Sequence, residues 1–294
     1  MNSDKIRSAS HAGSWYDSSK NYLDKKLSQW LSQSNPLSQT QLIRGLIAPH
    51  AGYEYSGPTA AWSYINVNPE NYDTVFLLGP CHHKYVKGCG LTKCSLYETP
   101  LGNIPVDTDI LDELSKNKYF VRIEKYDDEE EHSLEMHLPY IKKVFGEKQF
   151  KLVPVMVGSI DNALEEYFGK IFAKYLINSK NLFILSSDFC HWGNHFDYTP
   201  YDKNDGQIYQ TIEKIDKWGI DCITQQDPEK FMQYLKETEN TICGRNPIAT
   251  FLFALKHSGL KTRTSLQFYT QSSQVKRKND SSVSYASIVT YLDE

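Results

Sequence analysis

The chain has 294 residues, 40% of them hydrophobic and 23% charged, a composition that fits a globular protein with a sizeable core and excludes a disordered one. Its formal net charge is -4 at pH 7, which argues against nucleic acid as a partner because nucleic-acid-binding proteins carry a basic excess. No apolar run is long enough to cross a bilayer, and the segment up to Trp15 has no apolar signal region. We therefore predict no membrane span and a cytoplasmic protein, with the nucleus as a second compartment.

Short apolar runs and helical periodicities alternate along most of the chain. Runs rich in Val, Ile, Leu and Phe predict buried strands at residues 42–48, 74–78, 150–157 and 182–185. Apolar residues at three- and four-residue spacing predict helices at residues 107–118, 131–145, 162–176, 205–218 and 247–256. This alternation indicates an α/β fold with a mostly parallel central sheet flanked by helices on both faces.

The C-terminal part has a different pattern. Residues 265–274 and 281–292 alternate like strands on either side of a Lys-rich turn, which predicts a closing antiparallel pair. No low-complexity linker interrupts the chain, so we predict a single domain over residues 1–294. The six cysteines contain no C-x-x-C pair, and we expect most of them to be buried free thiols rather than disulfides or zinc ligands.

Three histidine-bearing segments follow predicted strands. His50 comes after the first apolar run, His82 and His83 after the second, and Asp188 and His191 after the fourth. Ligands of open α/β sheets collect at the carboxyl ends of strands, so we expect these side chains to converge on one site. Adjacent residues point apart, so only one of His82 and His83 should face that site, and His82 is the candidate.

Asp188 and His191 are three residues apart, which places both on one side if a helical turn begins at position 189. A carboxylate beside a histidine orients the imidazole ring and raises its basicity, as a general base or a metal ligand requires. Each candidate also has a structural explanation: His50 as a turn cap, and Asp188 as an Asx cap beside a packed ring.

Cys243 precedes a predicted helix that has Pro247 in its first turn. A thiol near a helix N-terminus with Arg245 close by is expected to ionise more easily than a free cysteine and to serve as a metal ligand or redox group. The alternative is an inert thiol in a loop.

Residues 131–137 superficially resemble a metalloprotease helix, but His132 and His137 are five apart and cannot bind one ion from the same helix. His132 and Glu135 share a helical face and are candidates for the pocket wall or for residues that support the ligands from behind, with an amphipathic surface helix as the alternative. The acidic run at 127–131 is expected to be a solvated loop and helix start.

Several motifs together resemble the Memo family, named for mediator of ErbB2-driven cell motility. They are residues 10–16 (SHAGSWY), 48–53 (APHAGY), 78–83 (LGPCHH), 131–139 (EHSLEMHLP), 186–193 (SSDFCHWG), 240–244 (NTICG) and 280–286 (DSSVSYA). The resemblance covers essentially the whole chain in order. It implies a fold similar to LigB-type class III extradiol dioxygenases, which hold iron with two histidines and a glutamate.

Carried over residue by residue, the resemblance implies that His50 and His82 are metal ligands, that Cys243 stands in place of the glutamate, and that His191 is the catalytic base, with Asp188 beside it. A thiolate shifts the metal preference toward copper or thiolate-bound iron. The resemblance also implies an adaptor role, in which Trp15 and Tyr55 contact phosphotyrosine-containing receptor or signalling proteins.

Three functions remain open on the sequence. The first is an iron- or copper-binding, redox-linked protein of cell signalling, motility and cytoskeletal regulation, and the second is a phosphotyrosine-peptide-binding adaptor with a non-catalytic cleft. The third is an extradiol dioxygenase, which the thiol at position 243 puts in doubt.

Overall fold

The computed structural model describes residues 5–37 and 41–293. Twelve strands are found among these residues. They are β1 (Ile6–Arg7), β2 (Ile43–Ala48), β3 (Thr74–Pro80), β4 (Cys89–Leu91), β5 (Leu96–Tyr97), β6 (Ile104–Pro105), β7 (Phe120–Arg122), β8 (Lys151–Val157), β9 (Asn181–Ser186), β10 (His191–Trp192), β11 (Thr262–Gln271) and β12 (Ser282–Leu292).

The same residues form ten α-helices. They are α1 (Lys20–Ser32), α2 (Tyr53–Tyr64), α3 (Thr108–Ser115), α4 (Lys125–Glu130), α5 (His132–Glu135), α6 (Leu138–Phe145), α7 (Asn162–Leu176), α8 (Ile208–Thr224), α9 (Pro228–Thr238) and α10 (Arg245–Ser258). None of the helices described is both long and apolar enough to span a bilayer.

One nine-stranded sheet organises the fold. Its order is β10-β12-β2-β9-β3-β8-β4-β7, with β11 paired to β12. The central four strands, β2, β9, β3 and β8, are parallel. Every residue of these strands is buried except the first residue of β3 and the first residue of β8. Burial on both sides explains their continuous apolar runs. The predicted α/β class is confirmed.

The predicted C-terminal pair is also confirmed. β11 and β12 are antiparallel over nearly their whole length, with an irregularity between Leu266 and Phe268. β12 then pairs antiparallel with β2. The last strand therefore closes the sheet next to the strand that leads into His50.

The predicted helix at 131–145 is wrong as one element. It consists of two helices, α5 and α6, with Pro139 in the first turn of the second. Proline lacks the N–H that a continuing helix needs, and its ring clashes with the carbonyl four residues earlier, so the chain breaks there. The alternative of an amphipathic surface helix is also wrong, because the polar residues Ser133, Glu135 and His137 are buried along with the apolar ones.

Candidate metal centre

The predicted convergence at the sheet edge is present. His50 follows β2, Ser186 ends β9, and His82 follows β3. β9 lies between β2 and β3 and runs parallel to both. The carboxyl ends of the three strands therefore deliver these side chains to one place.

The hydrogen bonds of His50 fix the direction of its ring. The Ser186 hydroxyl donates to the carbonyl of Ser133 at 2.6 Å, so it accepts the Nδ1–H of His50, also at 2.6 Å. The lone pair is then on Nε2, which lies 3.1 Å from Sγ of Cys243. Burial, followed by the charges of neighbouring histidines, holds the pKa of His50 well below its usual range, so the ring is neutral at pH 7.

Glu131 orients His82 in the same way. Its Oε1 lies 2.8 Å from Nδ1 of His82, and its Oε2 accepts the backbone N–H of His82 at 2.6 Å. The bond to a carboxylate places the proton on Nδ1 and leaves the Nε2 lone pair free. Burial alone would raise the pKa of Glu131, but the hydrogen bonds and charge of His82 lower it to about 2. The expectation of a solvated acidic run is wrong here, because Asp128 and Glu131 are both buried.

His132 completes a cluster of three imidazoles. One ring nitrogen from each of His50, His82 and His132 lies within 4.8 Å of the other two, a spacing that suits a metal ion. The ring of His132 stacks on His82 with centroids 4.5 Å apart and on Trp15 with centroids 4.4 Å apart. Burial, then the charge of His82, lowers the pKa of His132 to about 3, and its Nδ1 is buried without a hydrogen-bond partner.

The Cys243 thiol contacts one member of this cluster, His50, from a tightly packed loop. Within the described residues, Sγ is not among the donor atoms that all lie within 4.8 Å of one another. A Cβ on Gly244 would lie 2.4 Å from the carbonyl oxygen of Ser186, so only glycine lets the loop approach the end of β9 this closely. The backbone N–H of Asp188 donates to Sγ at 3.2 Å. The expected easy ionisation is wrong for the metal-free thiol, because burial, and then the charge of Asp188, raises the pKa of Cys243.

His191 and Asp188 lie at the same edge but are not on a helical turn. His191 begins β10, and its Nδ1 faces the carbonyls of Phe189 and Thr241 at 2.9 and 3.1 Å. That nitrogen therefore carries the proton and Nε2 is an available base. Asp188 accepts the backbone N–H of His50 at 2.8 Å, so it anchors the turn at His50. The sequence had suggested that Asp188 orients the ring of His191, but the two carbonyls on Nδ1 do so instead.

The other pocket candidates have different positions. Trp15 is 36% exposed at the rim of the cluster, whereas Tyr55 is 65% exposed in the first turn of α2. Among the described residues, Tyr55 makes no ring contact and no side-chain hydrogen bond with the histidine cluster. Glu135 contacts the N-terminal segment. It is buried and accepts hydrogen bonds from Arg7 at 2.6 Å, from the His11 backbone at 2.8 Å and from Tyr16 at 2.8 Å.

The sequence did not predict the two residues that orient the histidine rings, Ser186 and Glu131. Ser186 is one of two serines that end a buried strand, and Glu131 lies in an acidic run that looks solvated. A glutamate next to His132, in a segment with one further histidine at position 137, was the available signal, but the contact to His82 spans 49 positions. Local pattern does not reveal that pairing.

The donor set fits a transition metal. Imidazole and thiolate are ligands that iron, copper and zinc accept. Metal–nitrogen and metal–sulfur bonds of about 2.1 and 2.3 Å at a tetrahedral angle separate the two donors by about 3.6 Å. The 3.1 Å between Nε2 of His50 and Sγ of Cys243 is half an ångström, roughly, from that separation.

Fold and site define an α/β protein with a histidine-rich candidate metal centre at the carboxyl edge of its sheet. A family profile described as "Memo-like protein" matches residues 7–289. The chain belongs to this family.

Curated relatives agree with the family assignment. "Protein MEMO1" of Homo sapiens is 46% identical over 285 residues, covering 95% of each chain, and "Protein MEMO1" of Xenopus laevis is 47% identical with the same coverage. "Protein memo-1 homolog" of Caenorhabditis elegans is 46% identical over 97% of this chain and 83% of its own length. Among solved structures, an uncharacterized protein from Escherichia coli K12 has a TM-score of 0.49 at 14% identity, covering 82% of this chain and 98% of its own.

Proposed function

We propose that this protein binds iron or copper through His50, His82 and Cys243 and uses the metal as a redox-linked centre in cell signalling, motility and cytoskeletal regulation. The observation that carries the proposal is the direction of the imidazoles. Ser186 and Glu131 accept hydrogen bonds from the Nδ1–H groups of His50 and His82, so both Nε2 lone pairs are free. The Cys243 thiol lies 3.1 Å from one of them.

The surrounding residues would serve a bound ion in separate ways. Iron or copper would supply one-electron chemistry and Lewis acidity. Glu131 and Ser186 hold the rings in place, and Nε2 of His191 can accept a proton because its Nδ1 proton is held by two carbonyls. Asp188 anchors the backbone at His50. His132, stacked on His82, would place a third ring nitrogen near the ion.

Metal analysis after anaerobic purification tests the proposal. We expect metal to be retained by the unaltered protein and lost from the double variant His50→Ala and Cys243→Ser. Cys243→Ser alone should abolish thiolate-to-metal charge-transfer absorption. Cys222→Ser, at a buried thiol of α8, is the matched control and should change neither. Equal metal content and spectra in all forms would refute the proposal.

An exposed aromatic rim supports a second candidate function. Trp15 and Tyr55 are both exposed, and aromatic side chains of this kind are enriched at binding surfaces. As an adaptor, the protein would bind phosphotyrosine-containing receptor or signalling proteins there. Calorimetry with phosphorylated and plain tyrosine peptides, on metal-free and metal-loaded protein and on Trp15→Ala, distinguishes this function, because only the adaptor binds phosphopeptide without metal.

Extradiol ring cleavage ranks third. A thiol stands at position 243, where the family resemblance places a glutamate, and a soft ligand is unlike the two-histidine, one-carboxylate set of iron oxygenases. Oxygen uptake with a panel of catechols in the presence of Fe(II) would be its test. We also propose a single domain and a cytoplasmic location, with the nucleus as a second compartment. Residues 1–4, 38–40 and 294 of the proposed domain lie outside the described residues.

A further inference from the structure

A second cleft lies beside the loop that carries Cys243. It has a volume of about 750 Å³ and is formed by the N-terminal ends of α7 and α10 and by residues along the whole length of α9. The residues that matter for its chemistry are Glu165, Lys236, Glu239, Arg245 and Asn246. None of them is a candidate metal ligand.

Glu165 is an unsatisfied acceptor in this cleft. The residue is only 4% exposed, and its Oε2 is buried without a hydrogen-bond partner. A buried acceptor that lacks a partner costs free energy that a donor would recover. Burial raises the pKa of Glu165 to about 7, and the charge of Arg245 opposes that rise without cancelling it. Among the described residues, the carboxyl group forms no ion pair, although Arg245 is near enough for its charge to act on it.

Arg245 is a cation without an ion-pair partner at the same cleft, among the residues that the structure describes. It is exposed, begins α10, and has no ion-pair partner in residues 5–37 and 41–293. The next backbone N–H, that of Asn246, is in the first turn of this 14-residue helix, and no acceptor for it exists in the same ranges. A guanidinium beside a free amide at the positive end of a helix favours a carboxylate.

We propose that the cleft binds a compact zwitterion of the α-amino-acid type, with its ammonium group on Glu165 and its carboxylate on Arg245 and the Asn246 amide. A simple anion would leave Glu165 unsatisfied and would face Glu239 as well. A simple amine would leave Arg245 without a partner. A ligand that carries both charges can satisfy both groups at once.

Calorimetry on the full-length, metal-free protein tests this inference. The probes are the standard amino acids, each titrated alone, then the N-acetyl and the amide derivatives of the tightest binder, and inorganic phosphate. We expect at least one amino acid to bind with a Kd below about 1 mM. Removing either ligand charge should weaken binding about ten- to hundredfold, since hydrogen bonds between charged groups contribute most of the affinity.

Variants assign the two ends of the ligand. Glu165→Gln and Arg245→Gln should each weaken binding by a similar factor, and Glu166→Gln, at the half-exposed neighbour in α7, should not. No saturable binding, equal binding of the derivatives, or binding of phosphate alone would each overturn the inference. The derivative probes use the unaltered protein, so the test stands even if Glu165→Gln fails to fold. It needs no metal, so its outcome is independent of the proposed metal centre.

Discussion

At the scale of single residues, the site depends on side chains that hold other side chains. His50 and His82 would be poor ligands if their rings could turn, and each is fixed by one acceptor on Nδ1. Glu131 is the stronger of these acceptors because it is ionised, with a pKa of about 2. A carboxylate on the far nitrogen raises the basicity of the other nitrogen and orients the ring.

Glu131→Gln therefore tests the orientation of His82. The neutral amide oxygen accepts a weaker hydrogen bond from Nδ1–H of His82 than the carboxylate does. We therefore expect metal affinity to fall by about 10- to 100-fold with unchanged stoichiometry. Competition with a chelator of known affinity measures this. The neighbouring exposed Glu130→Gln is the control. Equal affinities of the two variants would show that Glu131 serves only to cap α5, where it also accepts the N–H of Ser133.

The raised pKa of Glu165 predicts how the free energy of unfolding changes with pH. Its pKa rises from 4.5 in the unfolded chain to about 7 in the fold because burial disfavours the charge, with Arg245 opposing and Asp161 adding to the rise. Lys236, Glu229 and Glu239 are the charged groups that α9 contributes to the same cleft. Between these two pKa values the folded protein holds a proton that the unfolded chain has lost, so the free energy of unfolding decreases as pH rises.

We expect this decrease to reach about 3 kcal/mol between pH 4.5 and pH 7. Urea unfolding across that range, on the unaltered protein and on Glu165→Gln, isolates the contribution because glutamine does not titrate. Glu166→Gln, whose carboxylate is partly exposed and paired with Lys170, should retain the full slope. An identical pH dependence in the unaltered protein and Glu165→Gln would contradict the prediction.

At the scale of elements, the parallel strands were predictable and several helices were not. Each central strand is a continuous apolar run that ends at polar residues, so β2, β3, β8 and β9 can be found from sequence with small errors at their ends. α2 escapes because it contains Gly57 and Pro58 and buries most of its residues, which leaves no one-sided pattern. A Cβ on Gly57 would lie 2.4 Å from the ring of Trp30, a requirement that only the packed fold reveals.

The candidate residues of the site could be selected from the sequence, but their ionisation and orientation could not. His50, His82 and Cys243 could be selected because they follow strands or precede a helix and match a family motif. Whether the thiol ionises depends on burial, and what orients each imidazole depends on contacts between distant segments. Local sequence contains neither.

The close packing of the loop between α9 and α10 predicts that a larger residue at position 244 displaces Cys243. In Gly244→Ala the new Cβ would meet the Ser186 carbonyl oxygen at 2.4 Å, and backbone cannot give way as a flexible side chain does. We expect the loop to move, Cys243 to leave the cluster and thiolate-to-metal absorption to be lost. Such overpacking also lowers the free energy of unfolding by about 1–3 kcal/mol.

Gly169→Ala separates the two effects. Its Cβ would lie 2.4 Å from Cβ of Phe253 where α7 packs on α10, so it should destabilise by a similar amount but keep the absorption. Loss of absorption in both variants would mean that general destabilisation, and not loop position, explains the change.

At the scale of the whole molecule, the N-terminal segment is tied to the helices that carry Glu131 and His132 of the candidate site. β1 pairs with β5 in a separate three-stranded sheet, and the side chain of Arg7 is completely buried. Its guanidinium donates to the carboxylates of Asp128 and Glu135 and to the carbonyl of Glu131. One arginine therefore joins the start of the chain to α4 and α5, next to the residue that orients His82.

Arg7→Met tests this connection. Methionine fills much of the space but leaves the carboxylates of Asp128 and Glu135 buried without a cation, and breaking a buried ion pair in this way costs about 3–5 kcal/mol. We expect the urea midpoint to fall accordingly, and metal affinity to fall with it because the Glu131 carbonyl loses its donor. Lys5→Met, at an exposed position two residues earlier, should leave both quantities unchanged. If Arg7→Met unfolds at the same urea concentration as the unaltered protein, the N-terminal segment does not stabilise the helices around the histidine cluster.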